Sequence, residues 1–304
     1  MRSETFGVVH LPPAWELPAD ALPRAADGLV FVVVTGKAHY NRSRITNLQA
    51  SWLNHVSEYY LISDAPAPSA WTPMLQHRHM WTTFEGFRGR SWPKNVLFNS
   101  YRRGPAYLTS QLKWAVAVEA FAKHYPRPGL RWLAFFDDDS FVVVPRYRQR
   151  LSVKDPSKPV LAGRVGRQFG CFTMCGGCGA ALSMPLVRLL SEQYLAHLVN
   201  ATLASGYWDV AFSRVVENAT RRRHAQRPAL LSLMPGFVEE RGVIWRGDVP
   251  YRGFRARPFY SPSLVSIHFG GTKHPVPDVT PEPWNLMYRM YYHQEHNGTN
   301  ETSV

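Results

Sequence analysis

Hydrophobic residues in this chain fall into short unbroken runs set between polar turns. Leu29-Val30-Phe31-Val32-Val33-Val34 is apolar at every position rather than at alternate ones. Such a run predicts a strand buried on both faces, as in a covered parallel sheet. It stops at Thr35-Gly36. Between about residues 43 and 54, Ile45, Leu48 and Trp52 recur at helical spacing. Tyr59-Tyr60-Leu61-Ile62 reads as a second strand, ending at Ser63-Asp64. Strand, helix and strand in that order predict a βαβ unit within an open α/β sheet.

The pattern continues less evenly. Residues 75 to 105 carry aromatic, Arg and Gly residues without a period and suit a long loop over a site. A helix is predicted from about residue 109 to 123, with Leu112, Val116 and Phe121 among its apolar positions. Trp132-Leu133-Ala134-Phe135-Phe136 is another buried strand, and it runs directly into Asp137-Asp138-Asp139. Phe141-Val142-Val143-Val144 resumes strand character up to Pro145. A Gly/Cys-rich segment follows at 170–179, then a helix opening near Pro185 and another near Asp209. Residues 1–27 are Pro- and Ala-rich and read as a stem or arm. Residues 28–293 read as one domain, and 294–304 as a polar tail.

Composition narrows the class. With 45% hydrophobic and 13% aromatic residues in 304, the chain has material for a large core. Its formal charge of +13 suits a basic surface or a pocket for a small anion. No zinc-finger, RRM or basic-zipper signature accompanies the arginines, so nucleic acid is not the expected partner. The 3 cysteines, Cys171, Cys175 and Cys178, share one segment. They are too few for a disulfide scaffold and lack a nearby fourth zinc ligand. One disulfide with a free thiol and three buried thiols both remain open. No apolar run approaches the roughly 20 residues of a membrane span.

The triple aspartate is the most informative feature. Adjacent carboxylates at the end of an apolar strand repel one another and resist burial. Oxygen donors of this kind suit Mn²⁺ or Mg²⁺. Ligands of open α/β sheets bind outside the carboxyl ends of strands, so position and chemistry agree on a divalent cation shared with a diphosphate. Three weaker features accompany it: Ser266-Ile267-His268, the small-residue run Gly176-Gly177-Cys178-Gly179, and Trp208-Asp209-Val210 at a helix start. Taken singly, these suit a structural histidine, a close backbone approach and a helix N-cap.

Together, in order and spacing, they resemble the fringe-like β-1,3-glycosyltransferases of glycosyltransferase family 31. The likeness runs from about residue 29 to 284. It comprises the first strand with Thr35, Lys37, Arg44 and Trp52; Ile62-Ser63-Asp64; Lys113; WLAFFDDDSFV from Trp132; CGGCGAALS from Cys175; Trp208-Asp209-Val210; and SIHFGG from Ser266. Two positions depart from the family pattern. Trp208 stands where the family carries an acid, and Cys178 where it carries a small residue such as Ala.

The resemblance implies the GT-A nucleotide-sugar transferase fold, a Rossmann-like mixed sheet flanked by helices. It implies an inverting, Mn²⁺-dependent transfer of N-acetylglucosamine or galactose from a UDP-sugar to a glycan or glycoprotein acceptor. In that scheme Asp139 and His268 are the metal ligands. Asp137 and Asp138 meet ribose, donor sugar or metal-bound water. Arg44, Asp64 and Lys113 hold uridine and diphosphate, with Thr35, Gly176 and Gly177 also lining the donor. Asp209 is the catalytic base. A binding protein of the same fold without catalysis, a metal-dependent phosphohydrolase and a nucleic-acid-binding protein are the competing readings. Asn-x-Ser/Thr sequons at Asn41, Asn200, Asn218, Asn297 and Asn300 suggest the Golgi lumen. The expected form is a type II membrane protein whose anchor is not in this chain; a cytoplasmic protein is the alternative.

Overall fold

Every side chain of β2 (Leu29–Val34) is buried, and the strand's twofold alternation sends them into two different cores. Leu29, Phe31 and Val33 join Ile45, Leu48, Trp52 and Tyr147 on one face. Val30, Val32 and Val34 join Leu112, Val116 and Phe121 on the other. Each such side chain contributes about 1.5–3 kcal/mol by leaving water, so neither face tolerates a polar residue. The structure, a computed structural model, describes residues 8–16, 28–37, 40, 44–83, 104–125, 127–163, 165–168, 171–174, 176–177, 179–223, 231–233, 265–268, 285, 288–289 and 292.

β2 lies inside an eight-stranded sheet. The other strands of that sheet are β1 (Val8–His10), β3 (Tyr59–Ser63), β4 (His79–Thr83), β5 (Trp132–Asp137), β7 (Leu161–Gly163), β10 (Ala180–Ser183) and β11 (Leu231–Leu233). Their order is β1-β4-β3-β2-β5-β10-β7-β11. Strands β4, β3, β2 and β5 run parallel. β1 is antiparallel to β4, and β10 is antiparallel to both β5 and β7. β6 (Ser140–Val142) pairs with β12 (Ser266–His268) in one small sheet, and β8 (Val165–Gln168) with β9 (Cys171–Met174) in another. This is the expected Rossmann-like mixed sheet flanked by helices.

The helices explain the two covered faces. Arg44–Ala50 and a 3-10 turn at Trp52–His55 connect β2 to β3, completing the expected βαβ unit. Gly104–His124 connects β4 to β5 and packs on the second face. Met184–Leu189 has Pro185 in its first turn. It runs on through Leu190–Tyr194 into Leu195–Ser205 and stops at Gly206, whose φ of 71° is open to glycine. Trp208–Arg223 follows.

Three expectations change. The start of the supposed 75–105 loop is ordered: Pro73–His77 is a helix, N-capped by Thr72, and His79–Thr83 is β4. Val143 and Val144 do not extend β6, because Pro145 fits a helix's first turn and Val144–Ser152 is that helix. Within the supposed arm, Val8–His10 pairs with β4, Val8 lying opposite Thr83. Trp15 packs edge-on against Tyr60 and Phe121. The 294–304 tail and the side chains of all three cysteines lie outside the described residues. Among the described residues, no helix is long and apolar enough to cross a membrane.

The topology points to one end of the sheet. From β2 the chain moves outward through β3 to β4, then returns to β5 on the other side of β2. The direction of winding reverses between β2 and β5. The crevice beyond the carboxyl ends at such a switch point is where open α/β sheets bind ligands. Thr35 follows β2 there, and Asp137 ends β5 opposite Val34.

Candidate functional site

The three aspartates are alike in sequence and differ in the fold. Asp137 is the last residue of β5 and is partly buried. Asp138 begins the turn, where its N–H donates to the carbonyl of Val34 at 3.1 Å and ties the turn to β2. The residue is 3% exposed. A carboxylate that buried needs partners, and it has them. Thr35 Oγ1 donates to Oδ2 at 2.8 Å, and an Arg44 guanidinium nitrogen to Oδ1 at 2.6 Å. Asp138, expected at ribose, donor sugar or metal-bound water, is bonded to Thr35 and Arg44 here. Asp139 stands beside the same guanidinium, its Oδ2 3.8 Å from the Arg44 nitrogen.

A second ion pair sits at the end of β3. Lys113 projects from Gly104–His124 and is only 2% exposed. Its Nζ donates to the carbonyl of Thr35 at 2.6 Å and to Asp64 Oδ1 at 3.2 Å. The N–H of Lys37 donates to the same Asp64 oxygen at 2.9 Å. Burial pulls the Lys113 ammonium below its ordinary pKa, against the opposing pull of Asp64 and Asp138. Burial pushes Asp64 up, but Lys113 and the Lys37 N–H outweigh it and hold the carboxyl below its usual range. Arg44 and Lys113, expected at uridine and diphosphate, reach the site through the carboxylates they fix. Next to Asp64, Ser63 Oγ bonds His79 Nε2 at 2.7 Å, and the Tyr40 hydroxyl bonds Ser63 and donates to the carbonyl of Ala65 at 2.6 Å.

β12 brings the far end of the chain to the aspartates. Its register sets Ser266 against Val142, Ile267 against Phe141 and His268 against Ser140. The His268 backbone therefore lies across from the residue that follows Asp139; its side chain lies outside the described residues. Ser140 is a site residue that pattern reading missed. Its carbonyl accepts from Trp52 Nε1 at 2.8 Å, and its hydroxyl donates to the carbonyl of Gly177 at 2.7 Å. Tyr292 was missed too. Its hydroxyl donates to the carbonyl of Val142 and accepts from the N–H of Val144, each at 2.9 Å. Nothing local in the sequence marks either residue.

Gly176 and Gly177 connect this strand to Asp209. Gly177 receives Ser140, and the Gly176 N–H donates to Asp209 Oδ2 at 3.2 Å. Asp209 lies in the first turn of Trp208–Arg223, where its Oδ1 also accepts from the Val210 N–H at 2.8 Å.

The donor set suits a hard divalent cation. Asp138 and Asp139 meet Arg44, Asp64 meets Lys113, and Asp137 ends β5 just before them, so carboxylates outnumber these two cations. Carboxylate oxygens of this kind suit Mn²⁺ or Mg²⁺. Among the described residues, no group of three or more His, Cys, Asp or Glu could hold an ion.

No family model and no curated protein sequence matches the chain. Among solved structures, it is similar to the galactosyltransferase LgtC in complex with donor and acceptor sugar analogues. The TM-score is 0.44 at 12% identity, over 90% of this chain and 97% of that one. It is also similar to a glycosyltransferase involved in glycosylation of the major capsid of PBCV-1, with a TM-score of 0.39 at 10% identity, over 86% of this chain and 98% of that one. Likenesses at this level carry no activity across to this chain.

Proposed function

We propose that this chain is a metal-dependent glycosyltransferase of the GT-A fold. It moves N-acetylglucosamine or galactose from a UDP-sugar to a carbohydrate hydroxyl with inversion, in the manner of the fringe-like β-1,3-transferases. The observation that carries the reading is the gathering of Thr35, Asp64, Lys113 and the aspartates at the switch point between β2 and β5, with β12 in register beside them. The order of motifs along the chain supports the same family.

Asp139 and His268 would hold the cation, with Asp137 next to it at the end of β5. A bound divalent cation supplies Lewis-acid stabilisation of the diphosphate as it leaves. The chain's own residues do the rest. Arg44 and Lys113 fix Asp138 and Asp64, so the turn that carries Asp139 keeps one geometry. The backbone at Gly177 lines the donor, and Gly176 turns its bare face to Trp208. Asp209 takes the proton from the acceptor hydroxyl while that oxygen attacks the anomeric carbon from the face opposite UDP. One displacement needs one base and no covalent intermediate.

The test is a UDP-release screen of UDP-sugars against a panel of acceptors, with and without Mn²⁺. Acceptor- and metal-dependent release supports the reading. Phosphate or nucleotide release that needs no acceptor replaces it with hydrolysis. Salt-sensitive retention on DNA or RNA that UDP does not compete would replace it with nucleic-acid binding. The Golgi lumen is the proposed compartment. Its support is the sequons, of which Asn200 stands exposed on Leu195–Ser205. Expression in a eukaryotic secretory host followed by glycosidase digestion tests this, and an unchanged mobility counts against it.

A further inference from the structure

The long helix Gly104–His124 reaches the site in two places. Lys113 goes to Asp64 and Thr35. The next residue, Trp114, lies about 100° further round the helix and meets a different partner. Its indole stacks on that of Trp208, with centroids 3.9 Å apart and planes 18° from parallel. Two residues before Lys113, the side-chain oxygen of Gln111 accepts the backbone N–H of Trp208 at 3.1 Å. That N–H belongs to the first turn of Trp208–Arg223 and has no partner within its own helix. One helix therefore holds Trp208 by both ring and backbone. Phe212 closes on the ring edge-on at 5.4 Å, and Trp208 is left 4% exposed.

The same indole touches the glycine segment. A methyl group built on Gly176 would stand 2.3 Å from Trp208 Cζ2 and 2.6 Å from Cε2. No side chain fits there while the ring keeps its place. The ring cannot easily yield, because Trp114 and Phe212 pack against it and Gln111 holds its backbone N–H. Gly176 is also the residue whose N–H donates to Asp209 Oδ2. The indole thus sets the position of the backbone that orients the neighbouring carboxylate.

We infer that Trp208 is a positioning residue for Asp209. Held by the helix that carries Lys113, it seats Gly176 and, through the Gly176 N–H, the Asp209 carboxylate. This rests on the reading of Asp209 as the base of a sugar transfer. It predicts a specific division of labour: Trp208 governs turnover and leaves UDP binding alone, because its ring packs on Trp114, Phe212 and Gly176, and Gly176 leads to Asp209. A ring that only filled the core would change stability without changing turnover per folded molecule.

The experiment compares the parent with Trp208→Ala, Trp208→Phe, Gly176→Ala and the double variant Gly176→Ala/Trp208→Ala. Four quantities are read: the exciton couplet of the stacked indoles by circular dichroism, the thermal midpoint, UDP–Mn²⁺ affinity, and kcat per folded molecule at saturating donor and acceptor. Trp208→Ala should lose the couplet, keep UDP affinity and lower kcat by roughly 10²-fold, the penalty of about a 1 Å misplacement. Trp208→Phe, which restores an aromatic ring against Trp114, should recover most of kcat. Gly176→Ala should lower kcat in the parent and do so far less in the Trp208→Ala background, where the added methyl has room. An unchanged kcat in Trp208→Ala overturns the inference, and so does a Gly176→Ala penalty that is equal in both backgrounds. If Trp208→Ala does not fold, Gly176→Ala decides alone: undiminished kcat overturns the inference. A parent that binds UDP but transfers to no acceptor overturns the transferase reading and this inference with it. A parent that transfers while Trp208→Ala matches it removes Trp208 alone.

Discussion

Arg44 and Asp138 are 94 residues apart in the chain and meet at 2.6 Å. The pair joins the helix after β2 to the turn after β5, across the switch point. Both side chains are largely withdrawn from water, so removing one partner takes away the other's nearest opposite charge. Asp138→Ala should cost about 3–5 kcal/mol of unfolding free energy. Arg44→Lys should recover only part of an Arg44→Ala loss, because a compact ammonium on a different stem does not place a donor where the planar guanidinium directs one at Asp138. Chemical denaturation measures both. A urea midpoint for Asp138→Ala equal to the parent's would show that the pair contributes nothing.

His79 makes acid sensitivity a property of the fold. Burial, with Lys113 nearby, lowers its pKa from 6.5 to about 4, and its Nε2 is held by Ser63 at 2.7 Å. Between those values the unfolded chain binds the proton and the folded chain refuses it. Stability from this group is complete above the unfolded value and is lost as pH falls from 6.5 toward 4. The shift corresponds to about 3 kcal/mol at full loss. Denaturation across that window should show the decline in the parent and a flatter profile in His79→Gln. Parallel slopes in the two proteins would assign the acid sensitivity to other groups.

What was legible in the sequence was what is locally determined. β2 announced itself because a strand covered on both faces must be apolar throughout. The aspartates announced themselves because charge at the end of such a strand needs a reason. β1 did not: Val8–His10 is too short to carry a period and owes its strand state to pairing with β4. The different fates of Asp138 and Asp139 were also hidden, since only the fold decides which of them meets Thr35. Ser140, Tyr292 and the Trp114–Trp208 stack act across long sequence separations. A single sequence holds no local sign of such contacts.

The metal proposal makes residues 129 positions apart answer together, since β12 sets His268 opposite Ser140. Asp139→Ala and His268→Ala should each abolish Mn²⁺-dependent UDP binding, measured by calorimetry, with the far-UV spectrum unchanged. Chelation of the parent should have the same effect, and added Mn²⁺ should reverse it. Normal Mn²⁺ and UDP binding by His268→Ala would make the histidine structural and leave the ion to the aspartates.

Asp209 has two roles to separate, because it both sits in a helix's first turn and faces the glycine segment. Its carboxylate accepts from Val210 and Gly176 with different oxygens, at 2.8 and 3.2 Å. Asn keeps one acceptor oxygen, so Asp209→Asn retains one of these bonds and forfeits the other. Losing one net hydrogen bond costs about 0.5–1.5 kcal/mol, a small fall in thermal midpoint. Asn cannot accept a proton at neutral pH. If Asp209 is the base, transfer should fall by roughly 10²–10⁴-fold while UDP–Mn²⁺ affinity stays near the parent's. If the residue only caps its helix, the protein stays folded in the assay and transfer should remain within about threefold of the parent's. Trp208 and Val210 flank it in the chain, so neither sequence neighbour is a carboxylate that could take over the proton. A variant that transfers sugar at the parent's rate would therefore remove Asp209 from the chemistry altogether.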